Sequence, residues 1–92
     1  MPSDDFNRVI ARFHVASTLE AALRLYPDKS VIVFCHHKHI SKHIDWLIAN
    51  FNVSAWRLMT LHLADGRIVI FMNEYGKSRG YERDKFVVVD YL

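Results

Sequence analysis

The chain has 92 residues, of which 51% are hydrophobic, 13% aromatic and 24% charged, with twelve Lys and Arg against ten Asp and Glu for a net charge of +2. That apolar share excludes a disordered chain, the length leaves no room for a second domain, and no apolar run approaches the roughly 20 residues of a membrane-spanning helix. Met1 to Phe6 is too polar to begin a signal peptide, and the single cysteine, Cys35, excludes an internal disulfide and fits a reducing cytoplasm. The expectation is one cytoplasmic α/β domain over residues 1–92 with no membrane contact.

In chain order, residues 8–15 admit two readings. Phe6, Val9, Ile10 and Phe13 fit one helical face after Ser3, whereas Arg8 to Ala11 fit a short strand. Ser17 or Thr18 can cap a helix over Leu19 to Tyr26, with Glu20 in its first turn and Pro27 as its stop. Ser30 to Cys35 holds four consecutive β-branched and aromatic residues, the pattern of a strand buried on both faces of a parallel sheet. A helix over His39 to Phe51 places Ile40, Ile44, Leu47, Ile48 and Phe51 on one face. Trp56 to Leu63 alternates and pairs with Arg67 to Met72 across Ala64-Asp65-Gly66, a hairpin signal. Asn73 to Asp84 is a polar loop, and Phe86 to Val89 is a second continuous apolar strand ending at Asp90. The order implies a small two-layer or three-layer α/β fold, a mixed sheet of about four to five strands with two or three helices and a right-handed crossover between the early strands.

Three constellations bear on chemistry. His36, His37, His39 and His43 cluster where the buried strand passes into the second helix, and the i,i+4 pair His39 and His43 shares a helical face. Only Cys35 and Asp45 stand near metal-ligand spacing, and no glutamate lies between the paired histidines, so neither metal nor cofactor is expected. A solvated basic helix start containing Lys38 and Lys42 is expected instead, at the end of an α/β sheet where anions bind. Cys35 reads as a buried thiol and not a nucleophile. Arg67, Tyr75, Lys77, Arg79, Tyr81, Arg83 and Lys85 form a basic and aromatic set that suits base stacking and phosphate contact, a protein interface, or, since Glu74, Glu82 and Asp84 partly neutralise it, a solvated loop with self-paired charges. Trp46 and Trp56 are core candidates, with Trp46 off the apolar helix face. Asp90, at the carboxyl end of an apolar strand, admits two readings: a carboxylate positioned to hold hydrated magnesium beside a phosphate, or an acidic residue that simply marks where the strand leaves the core.

The segments Asp65-Gly66-Arg67-Ile68-Val69-Ile70-Phe71, Arg79-Gly80-Tyr81 and Val87-Val88-Val89-Asp90 resemble the run into the Walker B strand of P-loop NTPase cores of the helicase and phage terminase kind. The resemblance spans nearly the whole chain and implies a partial P-loop-like core. It aligns Ala11-Arg12-Phe13-His14-Val15-Ala16-Ser17-Thr18 with the Walker A loop, G-x-x-x-x-G-K-[ST]. Thr18 matches the magnesium-binding hydroxyl. Ala11 and Ala16 replace both glycines, Ser17 replaces the lysine, and Tyr91 stands where the catalytic glutamate follows Asp90. The resemblance therefore implies a truncated relative with a degenerate nucleotide site at Ala11, Ala16, Ser17, Thr18 and Asp90, and no NTPase activity.

The resemblance implies a non-enzymatic interaction protein of phage or mobile-element type that binds and modulates another protein, such as an ATPase or nucleic-acid enzyme. The expected surface comprises Lys38, Lys42, Tyr75, Lys77, Arg79, Tyr81 and Arg83. The alternative is a nucleic-acid-binding module using His36–Lys42 and Lys77–Lys85. An exposed sheet edge in so small a domain also permits a homodimer.

Overall fold

The computed structural model describes residues 7 and 11–92. The elements are β1 (His14–Ala16), α1 (Leu19–Leu25), β2 (Ser30–Phe34), α2 (His37–Asn50), β3 (Val53–Arg57), β4 (Thr60–Leu63), β5 (Ile68–Met72), a 3-10 turn (Tyr75–Ser78) and β6 (Phe86–Asp90). The strands form one mixed sheet in the order β1-β6-β2-β5-β4-β3. β1, β6, β2 and β5 run parallel, while β4 and β3 extend the sheet in antiparallel fashion. No helix among the described residues is long and apolar enough to cross a membrane.

The α/β class follows from the two continuous apolar runs. β2 lies between β6 and β5, so both of its edges are hydrogen-bonded, and a core packs on each of its faces, so it has no polar side to present. Val31 and Val33 join the core under α1 and α2 with Leu19, Leu23, Ile40 and Leu47, whereas Ile32 and Phe34 face a second core with Phe13, Ile70 and Val88. The 73–85 segment leaves the carboxyl end of β5 and returns to the amino end of β6, packing Tyr75 and Tyr81 onto that second face. Among the described residues, α1 and α2 thus cover one face and the 73–85 segment covers much of the other.

Helix α1 is bounded as its sequence predicts. The Thr18 hydroxyl accepts a hydrogen bond from the Ala21 amide at 3.0 Å, and the helix stops before Pro27. Arg67 closes its far end: the guanidinium donates from Nη1 to the Leu23 carbonyl at 2.8 Å and from Nε to Asp65 at 2.9 Å. It therefore joins helix and hairpin and does not belong to a basic binding set.

Several expectations need correction. The sheet has six strands among the described residues, not four or five. Trp56 to Leu63 is not one strand, because Leu58 and Met59 turn the chain between Arg57 and Thr60 and start β4 antiparallel to β3. The alternation there is shared by two strands of a hairpin, so periodicity alone did not mark the break. The Ala64-Asp65-Gly66 turn is present, with Gly66 at φ 95°. Helix α2 begins two residues earlier than expected, at His37, and Ile48 is exposed on it. Of the two readings of residues 8–15, Ala11 and Arg12 are helical and a strand starts only at His14; Arg8 to Ile10 lie outside the described residues.

Candidate functional site

The parallel strands gather several predicted residues at their carboxyl ends. β1 ends at Ala16 and is followed by Ser17 and Thr18, while the adjacent β6 ends at Asp90. Both Asp90 carboxylate oxygens accept from the Tyr75 hydroxyl at 3.0 Å, and Oδ1 also accepts from the Leu92 amide at 3.0 Å. Burial, the hydrogen bond and the negative charge of Asp90 push the Tyr75 phenol up to about 12. Tyr75 thus serves as the carboxylate's partner and is not open for stacking on a base; its ring already meets Phe34 edge-on at 4.9 Å.

The residues aligned with a phosphate loop do not form one continuous loop. His14 to Ala16 pair with Val87 to Val89 in the sheet, so Ala11 and Thr18 lie on opposite sides of β1 and only Ser17 and Thr18 connect it to α1.

The basic segments meet at one place. The Asn73 amide lies 3.0 Å from His37 Nε2, and its carbonyl accepts from Lys77 at 2.8 Å. With Lys77 on the amide oxygen, the amide nitrogen is the group that faces the His37 ring. Lys38 and Lys42 are exposed on α2 nearby in sequence, and Arg79 is exposed beyond the 3-10 turn. Tyr81 packs on Phe86 at 5.2 Å, and Arg83 lies toward the amino end of the sheet, beside Arg12, His14 and Asp84. The expected surface is therefore divided between the two ends of the sheet by the course of the 73–85 segment.

The histidines are spread along the start of α2. His36 and His39 rings are 6.4 Å apart, and among the described residues no three His, Cys, Asp or Glu side chains converge as metal ligands. Partial desolvation, followed by the charges of Lys42 and Lys38, shifts His39 below the usual histidine range. Burial pushes the Cys35 thiol up, opposed by Lys42, and the thiol is fully enclosed. A protonated, enclosed thiol is a poor nucleophile.

The feature that sequence inspection missed is the β3–β4 tip. Leu58 and Met59 hold φ of 50° and 63°, the left-handed conformation required by a tight hairpin turn and normally supplied by Asn-Gly. Leu58 is 85% exposed, Met59 41% and nearby Trp56 42%. The Trp56 ring meets Phe71 edge-on at 5.9 Å, so one side is anchored while the rest faces solvent. Left-handed backbone costs an ordinary residue roughly 1–2 kcal/mol. Here it displays apolar side chains in water, a combination that neither stability nor solubility explains. The only available sequence signal was a bulky apolar pair, Leu58-Met59, inside an otherwise alternating run.

No protein-family model, no curated protein and no solved structure matches the chain.

Proposed function

We propose that the chain is a non-enzymatic protein-interaction domain that docks through the β3–β4 tip, with Leu58 and Met59 entering an apolar groove on a partner protein. The observation that carries this reading is an exposed apolar pair held in left-handed backbone, a conformation whose cost is offset when a partner covers it. Fully burying a Leu or Met side chain contributes about 1.5–3 kcal/mol, so this pair with Trp56 has the size of a binding anchor. Modulation of the partner follows from occupying its groove. The reading does not depend on kinship with P-loop NTPases.

The test is affinity capture with the wild-type chain and with the double variant Leu58→Asn, Met59→Gly, which keeps the turn and removes the apolar pair. A protein held by the wild type and released by the variant is expected. Identical captures from both would overturn the proposal. A second copy of the chain is the other possible occupant, since β3 is an edge strand; a dimer in sedimentation equilibrium that the variant dissociates would assign that role.

A second reading, nucleic-acid contact at Lys38, Lys42 and Lys77, is supported by the His37–Asn73–Lys77 junction, which brings the two basic segments together. Neutralising three phosphates gives a slope of about −2.7 in log affinity against log salt on duplex DNA. Absence of retention on DNA at low salt removes this reading.

A further inference from the structure

A cavity of about 360 Å³ opens between the start of α1, the middle of α2 and the residue after β6. It is separate from the hairpin tip and from the His37–Asn73–Lys77 junction. Its size lies at the small end of the range of ligand pockets, about 300–1,000 Å³, which restricts an occupant to one or two rings.

The walls are largely aromatic and are held in place. The Tyr91 ring stacks on the His43 imidazole at 4.8 Å and 18°, and His43 in turn stacks toward Phe71 at 6.2 Å and 21°. The Tyr91 hydroxyl accepts from the Leu19 amide at 2.7 Å, tying the residue after β6 to α1. Trp46 supplies another wall, its ring tilted against Phe51 at 5.6 Å. These contacts set the ring positions before any ligand arrives, so little ordering cost remains for binding.

The polar lining is asymmetric. Lys42, from α2, makes no hydrogen bond or ion pair among the described residues. Burial, and after it the Lys42 charge, holds His43 below the usual histidine range. Glu20, on the α1 side, is engaged by Arg24 at 3.1 Å. The uncompensated charge in the cavity is thus positive and on α2.

We propose that this cavity binds a small planar aromatic carboxylate, with its ring against Tyr91 and Trp46 and its acidic group on the Lys42 ammonium. Stacking on aromatic walls selects the flat ring, and the free ammonium selects the acid over its neutral counterpart. Glu20 disfavours the reverse orientation by placing a carboxylate on the other side.

The experiment is titration of the 92-residue chain with 2-naphthoate, followed by backbone and indole NMR shifts, with 2-naphthamide as the uncharged control. Saturable shifts at Lys42, His43, Trp46 and Tyr91 are expected. Affinity should fall at least tenfold for the amide and for Lys42→Gln. Lys42 is exposed, so that variant keeps the fold, which its unperturbed amide spectrum away from the cavity would verify. The Leu58→Asn, Met59→Gly variant should bind the acid like the wild type, separating this proposal from docking at the hairpin tip. No saturation at millimolar concentration, equal affinity for acid and amide, or unchanged affinity in Lys42→Gln would each overturn the proposal.

Discussion

At the residue scale, two side-chain pairs make stability depend on pH, in opposite directions. Asp65 accepts from the Arg67 amide at 3.0 Å and from its guanidinium at 2.9 Å, and these bonds hold the carboxyl below the usual carboxylate range, against a smaller opposing effect of burial. Its folded pKa is depressed, so the contribution is present above the ordinary Asp value near 4 and is lost as pH falls through the lower folded value. Asp65→Asn should flatten the acid limb of a thermal-melting profile. Arg67→Ala removes more, because the same guanidinium also serves the Leu23 and Tyr26 carbonyls at the end of α1. A loss of about 1.5–3 kcal/mol in denaturant unfolding is expected, the range for hydrogen bonds to a charged group. Tyr75 behaves in the opposite way. Its folded pKa is raised from 10 to about 12, so its contribution is intact below pH 10 and disappears as pH climbs toward 12. Tyr75→Phe should remove the part of alkaline destabilisation that follows phenol ionisation, visible as a flatter melting temperature between those values.

At the element scale, the β3–β4 hairpin should become more stable when its tip is made ordinary. Leu58→Asn with Met59→Gly supplies the residues that a tight turn with two positive φ values favours, and the melting temperature should rise by several degrees, corresponding to about 1–2 kcal/mol. No gain would mean that the tip is unstrained and would remove the main support for docking there. The same hairpin marks the limit of what the sequence discloses. β2 and β6 were legible because a run such as Val31 to Phe34 fits only a strand covered on both faces. Thr18, Glu20 and Pro27 bounded α1 because a cap and a stop act within a few residues. The turn at Leu58-Met59 had no such local chemistry: tertiary pairing of β4 with β5 overrides the preference of both residues. The cavity was equally hidden. Its lining comes from residues 18–20, Lys42, His43, Trp46 and Tyr91, and no spacing rule links Lys42 to Tyr91. Asp90 was legible as a strand-end carboxylate, but its partner Tyr75 was not, because the 73–85 segment has no periodicity from which its path across the sheet could be read.

At the scale of the whole molecule, the parallel strands form the centre of the core, β4 adds Leu61 and Leu63 to it, and β3 is the exposed edge. Val31, Val33, Val87 and Val89 are fully buried, whereas the strand at the far edge, β3, exposes most of its residues. Truncating the middle of the core should therefore cost far more than truncating the edge. Val88→Ala is expected to lose about 1–3 kcal/mol in denaturant unfolding, and Ala55→Gly at the edge under about 1 kcal/mol. Comparable losses at both positions would contradict this division. The insertion of β6 between β1 and β2 also governs when the core can form. The strand with registers to both neighbours is the last of the described elements, so a ribosome must release residue 90 before residues 14–16 and 30–34 gain their shared partner. Until then, β1 has no partner among the described strands and β2 lacks one of its two, leaving apolar strands open to wrong pairing. The protein accordingly completes its fold after synthesis of β6 and not during it. Closure over such sequence distances belongs to the slower, milliseconds-to-seconds end of small-domain folding. Nascent chains stalled before residue 86 should remain protease-sensitive through β2.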